Sequence, residues 1–169
     1  MRVSTLMLTQ RLWQRFGLPG RPTMQPNDEA AGLGNWTMVD VPTRFGELAL
    51  FVNQRTCVVA VTPLLTLGET LLLFALQVGT ELERLGVSRD IIEAEQETLT
   101  KLELGKNTDR SLLGTANQLA LDAQYFDERV RSPKELCDRL QAWLNETPHV
   151  KRTPAFAADA VAEIFATRH

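Results

Sequence analysis

The sequence predicts an α+β fold: a small antiparallel or mixed sheet of about four to five strands packed against about five helices, with the C-terminal part helical. Three observations carry this. Short segments before residue 63 alternate with a period of two, Thr66 to Leu85 repeats leucines at spacings of three and four, and helix-start signals recur beyond residue 130.

Ser4 to Leu8 reads as the first strand. Thr9 then caps a short helix with Leu12, Trp13 and Phe16 on its inner face, and Gly17 stops it. The first 27 residues carry Arg2, Arg11, Arg15 and Arg21 and no acid, as a presequence would, but the strand and helix patterns favour a folded segment. Leu18 to Gly34 holds Pro19, Pro22 and Pro26 and should be a long irregular loop, with Gly32-Leu33-Gly34 a turn rather than a dinucleotide fingerprint. Asn35 to Val41, Glu47 to Val52 and Thr56 to Thr62 follow as three strands joined by short turns, an antiparallel meander. The Val/Ala/Cys composition of the third implies burial on both faces.

Thr66 to Leu85 predicts a long helix with Leu67, Leu71, Phe74, Val78, Leu82 and Leu85 inward. Leu72, Leu73 and Leu76 widen the stripe, so the helix should be covered by the sheet on one side and by other helices on the next. Although Thr56 to Val78 is very apolar, Pro63, Gly68 and Glu69 interrupt it, which does not suit a membrane span of about 20 apolar residues. Ser88 caps a short helix through Ile91 and Ile92, and Thr98 to Leu104 alternates as a further strand. The acids of this region, Asp90, Glu93, Glu95, Glu97 and Glu103, read as a solvated face. Asp109 or Ser111 opens a helix to about Arg129 that buries Leu112, Ala116, Leu119, Ala123 and Phe126. Ser132-Pro133 starts another over Leu136, Leu140, Trp143 and Leu144, and Thr153-Pro154 a last one with Phe156, Val161, Ile164 and Phe165. With no repeat and no break in composition, residues 1–169 read as a single domain.

The net charge of −3 argues against a protein that coats nucleic acid. Cys57 and Cys137 lie far apart in apolar surroundings and read as buried free thiols of a cytoplasmic protein. His149 and His169 are the only histidines, so neither a histidine-rich metal site nor a convincing catalytic triad can be assembled, and no metal or cofactor is expected.

The candidate for chemistry is the polar stretch Gly105-Lys106-Asn107-Thr108-Asp109-Arg110-Ser111 between a strand and a helix. A helix N-terminus offers free N–H groups and a positive dipole end, and Lys106 and Arg110 add charged donors for a phosphate or carboxylate. The plain alternative is a capping loop with Asp109 or Ser111 satisfying the first turn. Arg110, Gly114, Asn117 and Leu121 share one side of the following helix. Glycine there costs about 1 kcal/mol against alanine, which close packing of a neighbour or a ligand groove would explain.

Asn107-Thr108-Asp109-Arg110-Ser111-Leu112-Leu113-Gly114 with Asn117 resembles the signature of a bacterial family known as a domain of unknown function. Leu8-Thr9-Gln10, Leu33-Gly34-Asn35-Trp36 and Leu144-Asn145-Glu146-Thr147-Pro148 are similar to further segments of that family, whereas Lys151 to Phe156 matches more loosely. The resemblance implies a bacterial cytoplasmic protein in which Asn107, Thr108, Asp109, Arg110, Ser111 and Asn117 form the defining site. It implies no activity. Two readings result: a non-enzymatic module that binds a protein partner through residues 106–117, or a domain, enzymatic or not, that binds a small anion or phosphate there.

Overall fold

The computed structural model describes residues 3–126, 129–149 and 152–166. In chain order its elements are β1 (Thr5–Leu8), α1 (Gln10–Arg15), β2 (Trp36–Thr43), β3 (Gly46–Asn53), β4 (Val59–Pro63), α2 (Leu67–Arg84), α3 (Arg89–Leu99), β5 (Glu103–Lys106), α4 (Arg110–Gln124), α5 (Pro133–Glu146) and α6 (Ala157–Ala166). The predicted meander forms: β2 pairs antiparallel with β3, and β3 with β4. β1 joins β2 on one side and β5 on the other, both parallel, so the sheet is mixed with the order β4-β3-β2-β1-β5.

Alternation along the strands sends side chains to two cores. Leu6, Leu8, Trp36, Met38, Phe51 and Ala60 meet α1, α2, α3 and α6 on one face, where the Phe74 ring stacks on Phe51 with centroids 4.0 Å apart. Met7, Val39, Val41, Leu48, Leu50, Val59 and Val61 meet α4 and α5 on the other. Period-two residues are thus apolar on both faces, which makes β3 and β4 nearly continuous hydrophobic runs.

The outer edge of β4 is closed by side-chain amides. Asn145 on α5 accepts from the Val59 N–H (2.7 Å) and donates to its carbonyl (2.8 Å). One turn earlier Gln141 accepts from the Val61 N–H (2.9 Å), and Gln77 on α2 donates to the Val61 carbonyl (2.9 Å). Four residues of helix rise about 6.0 Å and two residues of strand about 6.6 Å, so amides spaced i, i+4 fall opposite groups spaced i, i+2. All four outward backbone groups of Val59 and Val61 are satisfied without another strand.

Several expectations are corrected. Thr98 to Leu104 is not one strand: α3 continues to Leu99 because Ile92, Glu95, Gln96 and Leu99 share a helical face, and β5 covers Glu103–Lys106. The polar stretch therefore begins after Lys106 rather than at Gly105. The α2 helix is covered by β4 on one side and by α3 on the next, as expected, but Leu72 and Leu76, 63% and 54% exposed, take no part in that packing. Trp143 and Phe156, expected inside, are 41% and 45% exposed, although Trp143 still packs on Phe126. The fourth strand is shorter than Thr56 to Thr62, since Cys57 takes a left-handed φ of 55° and ends the turn ahead of β4. Ser88 makes no side-chain cap bond. The α4 helix ends at Gln124; Asp127 and Glu128 of the longer expected helix lie outside the described residues, as does His169. Thr153-Pro154 precedes α6 by three residues and does not cap it.

Candidate functional site

The 106–117 stretch is divided by its own capping residue. Asp109 is extended (φ −92°, ψ 91°) and its carboxylate accepts from the Leu112 N–H at 2.8 Å, the geometry of an N-cap. Its second oxygen accepts from Gln54 at 3.1 Å, and Gln54 in turn accepts from Asn35, whose Oδ1 takes the Thr5 N–H. Both oxygens of Asp109 are thus used in joining α4 to the sheet. Asn107 donates to the buried Thr37 hydroxyl on β2, which draws the chain from the β5 edge back across β1. Thr108 is exposed.

On one side of this partition, Lys106 and Asn107 line a crevice of about 480 Å³ at the ends of β1 and β5. Its other walls come from Leu8, Thr9 and Gln10, from Leu113, and from the loop residues Arg21 to Thr23 and Gln25. That loop is anchored by Met24, whose carbonyl accepts the Lys106 N–H at 2.8 Å, and by Pro19, whose carbonyl accepts from Trp13. Gly105 permits the approach: a Cβ there would stand 2.5 Å from Thr5 Cγ2 and 3.0 Å from the Met24 carbonyl oxygen.

On the other side, Arg110 and Ser111 open a groove of about 560 Å³ that continues along α4 past Gly114, Thr115 and Gln118 to Asp122. The opposite wall is Thr147, Pro148, His149 and Arg152. Among the described residues a Cβ at Gly114 would meet nothing within 4 Å, so close packing against them does not account for that glycine, which lines the groove. Arg152 is fixed by donating to the carbonyls of Gln54 and Arg55 at 3.0 and 3.1 Å. His149 is half-buried and its Nε2 has no hydrogen-bond partner among the described residues. Burial, reinforced by the Arg152 charge, holds its pKa below the usual histidine value. Among the described residues no hydroxyl, Ser111 included, is hydrogen-bonded to His149 Nε2.

Of the residues singled out by the sequence, Lys106 and Asn107 fall in one cavity, Arg110 and Ser111 in the other, and Asp109 between them. Asn117 is exposed and lines neither. Sequence reasoning missed Arg21 and Gln10 in the crevice and His149 and Arg152 in the groove. The signal for Arg21 was an acid-free loop start; that for Arg152 was absent, because its partners are backbone carbonyls. Among the described residues no three His, Cys, Asp or Glu side chains are grouped to hold a metal, and no helix is long and apolar enough to cross a membrane.

No curated protein and no solved structure matches the chain. A family model does, over residues 5–157, which takes in every strand, both cavities and all but the last helix. The chain belongs to the family described as Domain of unknown function (DUF6933).

Proposed function

We propose that this protein is a non-enzymatic, single-domain binding module that holds an extended, acidic segment of a partner protein in the α4 groove. The observation that carries the reading is Gly114 facing open space directly below Arg110, an arginine with no ion pair or hydrogen bond among the described residues. From Arg110 to Asp122 the helix rises about 18 Å, the span of roughly five or six extended residues. A groove of that length suits a peptide better than a compact metabolite. Arg110 and Arg152 place positive charge at one end, where a carboxylate of the partner would be taken, and Thr115 and Gln118, whose hydroxyl and amide donate to the Ser111 carbonyl and Asp122, keep acceptor oxygens along the wall. A bacterial, cytoplasmic setting belongs to the same reading; it rests on the motif resemblance and on Cys57 and Cys137 being free thiols.

The test is selection from a displayed peptide library, with the wild type and Arg110→Ala in parallel after both are shown to fold. Acid-bearing peptides enriched by the wild type, lost with Arg110→Ala, and shifting the amide signals of Gly114 and Gln118 are the expected result. Failure to enrich, or enrichment indifferent to Arg110, refutes the proposal.

A further inference from the structure

We infer that the crevice beyond the carboxyl ends of β1 and β5 is a second, separate site, and that it takes a small phosphorylated polyol, a sugar phosphate. The topology comes first. β1 and β5 are adjacent and parallel, yet the chain leaves β1 for α1 on one face of the sheet and leaves β5 for α4 on the other. Where neighbouring parallel strands send their connections to opposite faces, the two connections part and leave an opening at the strand ends; open α/β sheets bind ligands at this switch point. Here the opening is an observed crevice of about 480 Å³, within the usual range of about 300–1,000 Å³ for small-molecule sites.

The lining then specifies the ligand. Arg21 and Lys106 are its two charges, no acid lines it, and neither cation has an ion pair or side-chain hydrogen bond among the described residues. Two uncompensated cations in one cavity call for a dianion, and a phosphate monoester supplies one. Thr9, Gln10, Thr23 and Gln25 bring hydroxyls and amides, suited to a body carrying several hydroxyl groups. Asn107, which also lines the crevice, adds a further amide to that set. Among the described residues no aromatic ring lines the crevice, so none of them offers a stacking platform to a nucleobase. This separates a sugar phosphate from a nucleotide.

Titration calorimetry and proton–nitrogen correlation spectra test the inference, using ribose-5-phosphate as probe with ribose and inorganic phosphate as controls. The proteins are the wild type, Arg21→Ala, Lys106→Ala and, as a variant of the other groove, Arg110→Ala. All three replaced side chains are exposed, and circular dichroism checks that each variant folds. Ribose-5-phosphate should bind, shifting the amides of Thr9, Gln25 and Lys106. Each crevice variant should weaken it about tenfold or more, the effect of losing a charge-assisted hydrogen bond, while Arg110→Ala leaves it unchanged. The inference is overturned by no binding at millimolar probe, by binding indifferent to both crevice variants, or by shifts confined to Gly114 and Gln118. Inorganic phosphate binding as tightly as ribose-5-phosphate also overturns it, in favour of a bare oxyanion site.

Discussion

Asn145→Ala removes the two amide bonds that close β4 at Val59 and leaves those of Gln141 and Gln77 at Val61. Asn145 is 4% exposed, and its Oδ1 and Nδ2 lie 2.7 and 2.8 Å from the Val59 nitrogen and carbonyl oxygen, so truncation strands one donor and one acceptor. A buried group left unsatisfied costs about 1–3 kcal/mol, and partial entry of water relieves some of it, which puts the loss at about 2–4 kcal/mol. At about 2–4 °C per kcal/mol for a chain of this size, Tm should fall by roughly 4–16 °C. Urea denaturation followed by circular dichroism measures the loss directly. Asn145→Asp should be no better, because a carboxylate can accept from the Val59 N–H but sets a negative oxygen against its carbonyl. With Val59 freed, β4 also presents two unpaired edge groups, so Asn145→Ala should self-associate more than the wild type on size-exclusion chromatography. A loss below about 1 kcal/mol without self-association would refute the clamp, since replacements at uninvolved surface sites stay within about 0.5 kcal/mol.

The remaining predictions concern the partition and the two cavities. Asp109→Ala should cost about 1–3 kcal/mol in urea denaturation through the lost cap and the stranded Gln54 amide, and a loss no greater than that of Thr108→Ala would contradict its structural role. Gly114→Ala should stabilise α4 by up to about 1 kcal/mol while weakening capture of groove-binding peptides; destabilisation would mean that the space is filled. Because His149 has a folded pKa below its ordinary value of 6.5, the unfolded chain takes up the proton first as pH falls. Its contribution is therefore complete above that value and is lost as pH drops through the folded pKa; denaturation midpoints should decline less steeply on acidification in His149→Gln, and identical slopes would exclude the effect. Burial raises the Cys57 thiol and pushes that of Cys137 up to about 12, so Ellman's reagent should label neither in the native state and both in urea, whereas rapid native labelling would contradict their burial.

What the sequence made legible was local. Alternation from Asn35 to Val52, interrupted by the Pro42 to Gly46 turn, specifies the β2–β3 hairpin, and Ser132 followed by Pro133 marks the start of α5 with a serine that caps Glu135. The misreadings share a cause. Leu99, Leu102 and Leu104 mimic alternation only because the end of a helix and the start of an edge strand are separated by three residues. Leu72 and Leu76 carry the spacing of a buried stripe, and nothing local tells a covered leucine from an exposed one. Gln141 and Asn145 look like the polar face of α5, yet they are 3% and 4% exposed, because the groups they satisfy belong to a strand about 80 residues earlier in the chain. The crevice was illegible for the same reason: it exists only because Thr5 to Leu8 pairs with Glu103 to Lys106.

Polar residues in this fold separate by what they have left to give. Asn35, Asn53, Asp109, Gln141 and Asn145 are committed to backbone groups or to one another, and a polar motif read along the chain cannot distinguish them from residues still available. Five buried polar side-chain atoms lack a partner among the described residues, and two of them, Asn107 Oδ1 and His149 Nε2, belong to residues that line the two cavities, one in each. Each such atom costs about 1–3 kcal/mol while unpaired. Arg21 and Lys106 on one side and Arg110 on the other are exposed cations without counter-charges among the described residues, each beside a cavity. Uncommitted groups thus gather on both sides of Asp109, the residue whose capping bond and link to Gln54 hold the two cavities apart. A ligand that engages one side has no direct contact with the other, so binding in the crevice and binding in the groove should be additive unless the α4 cap itself is disturbed.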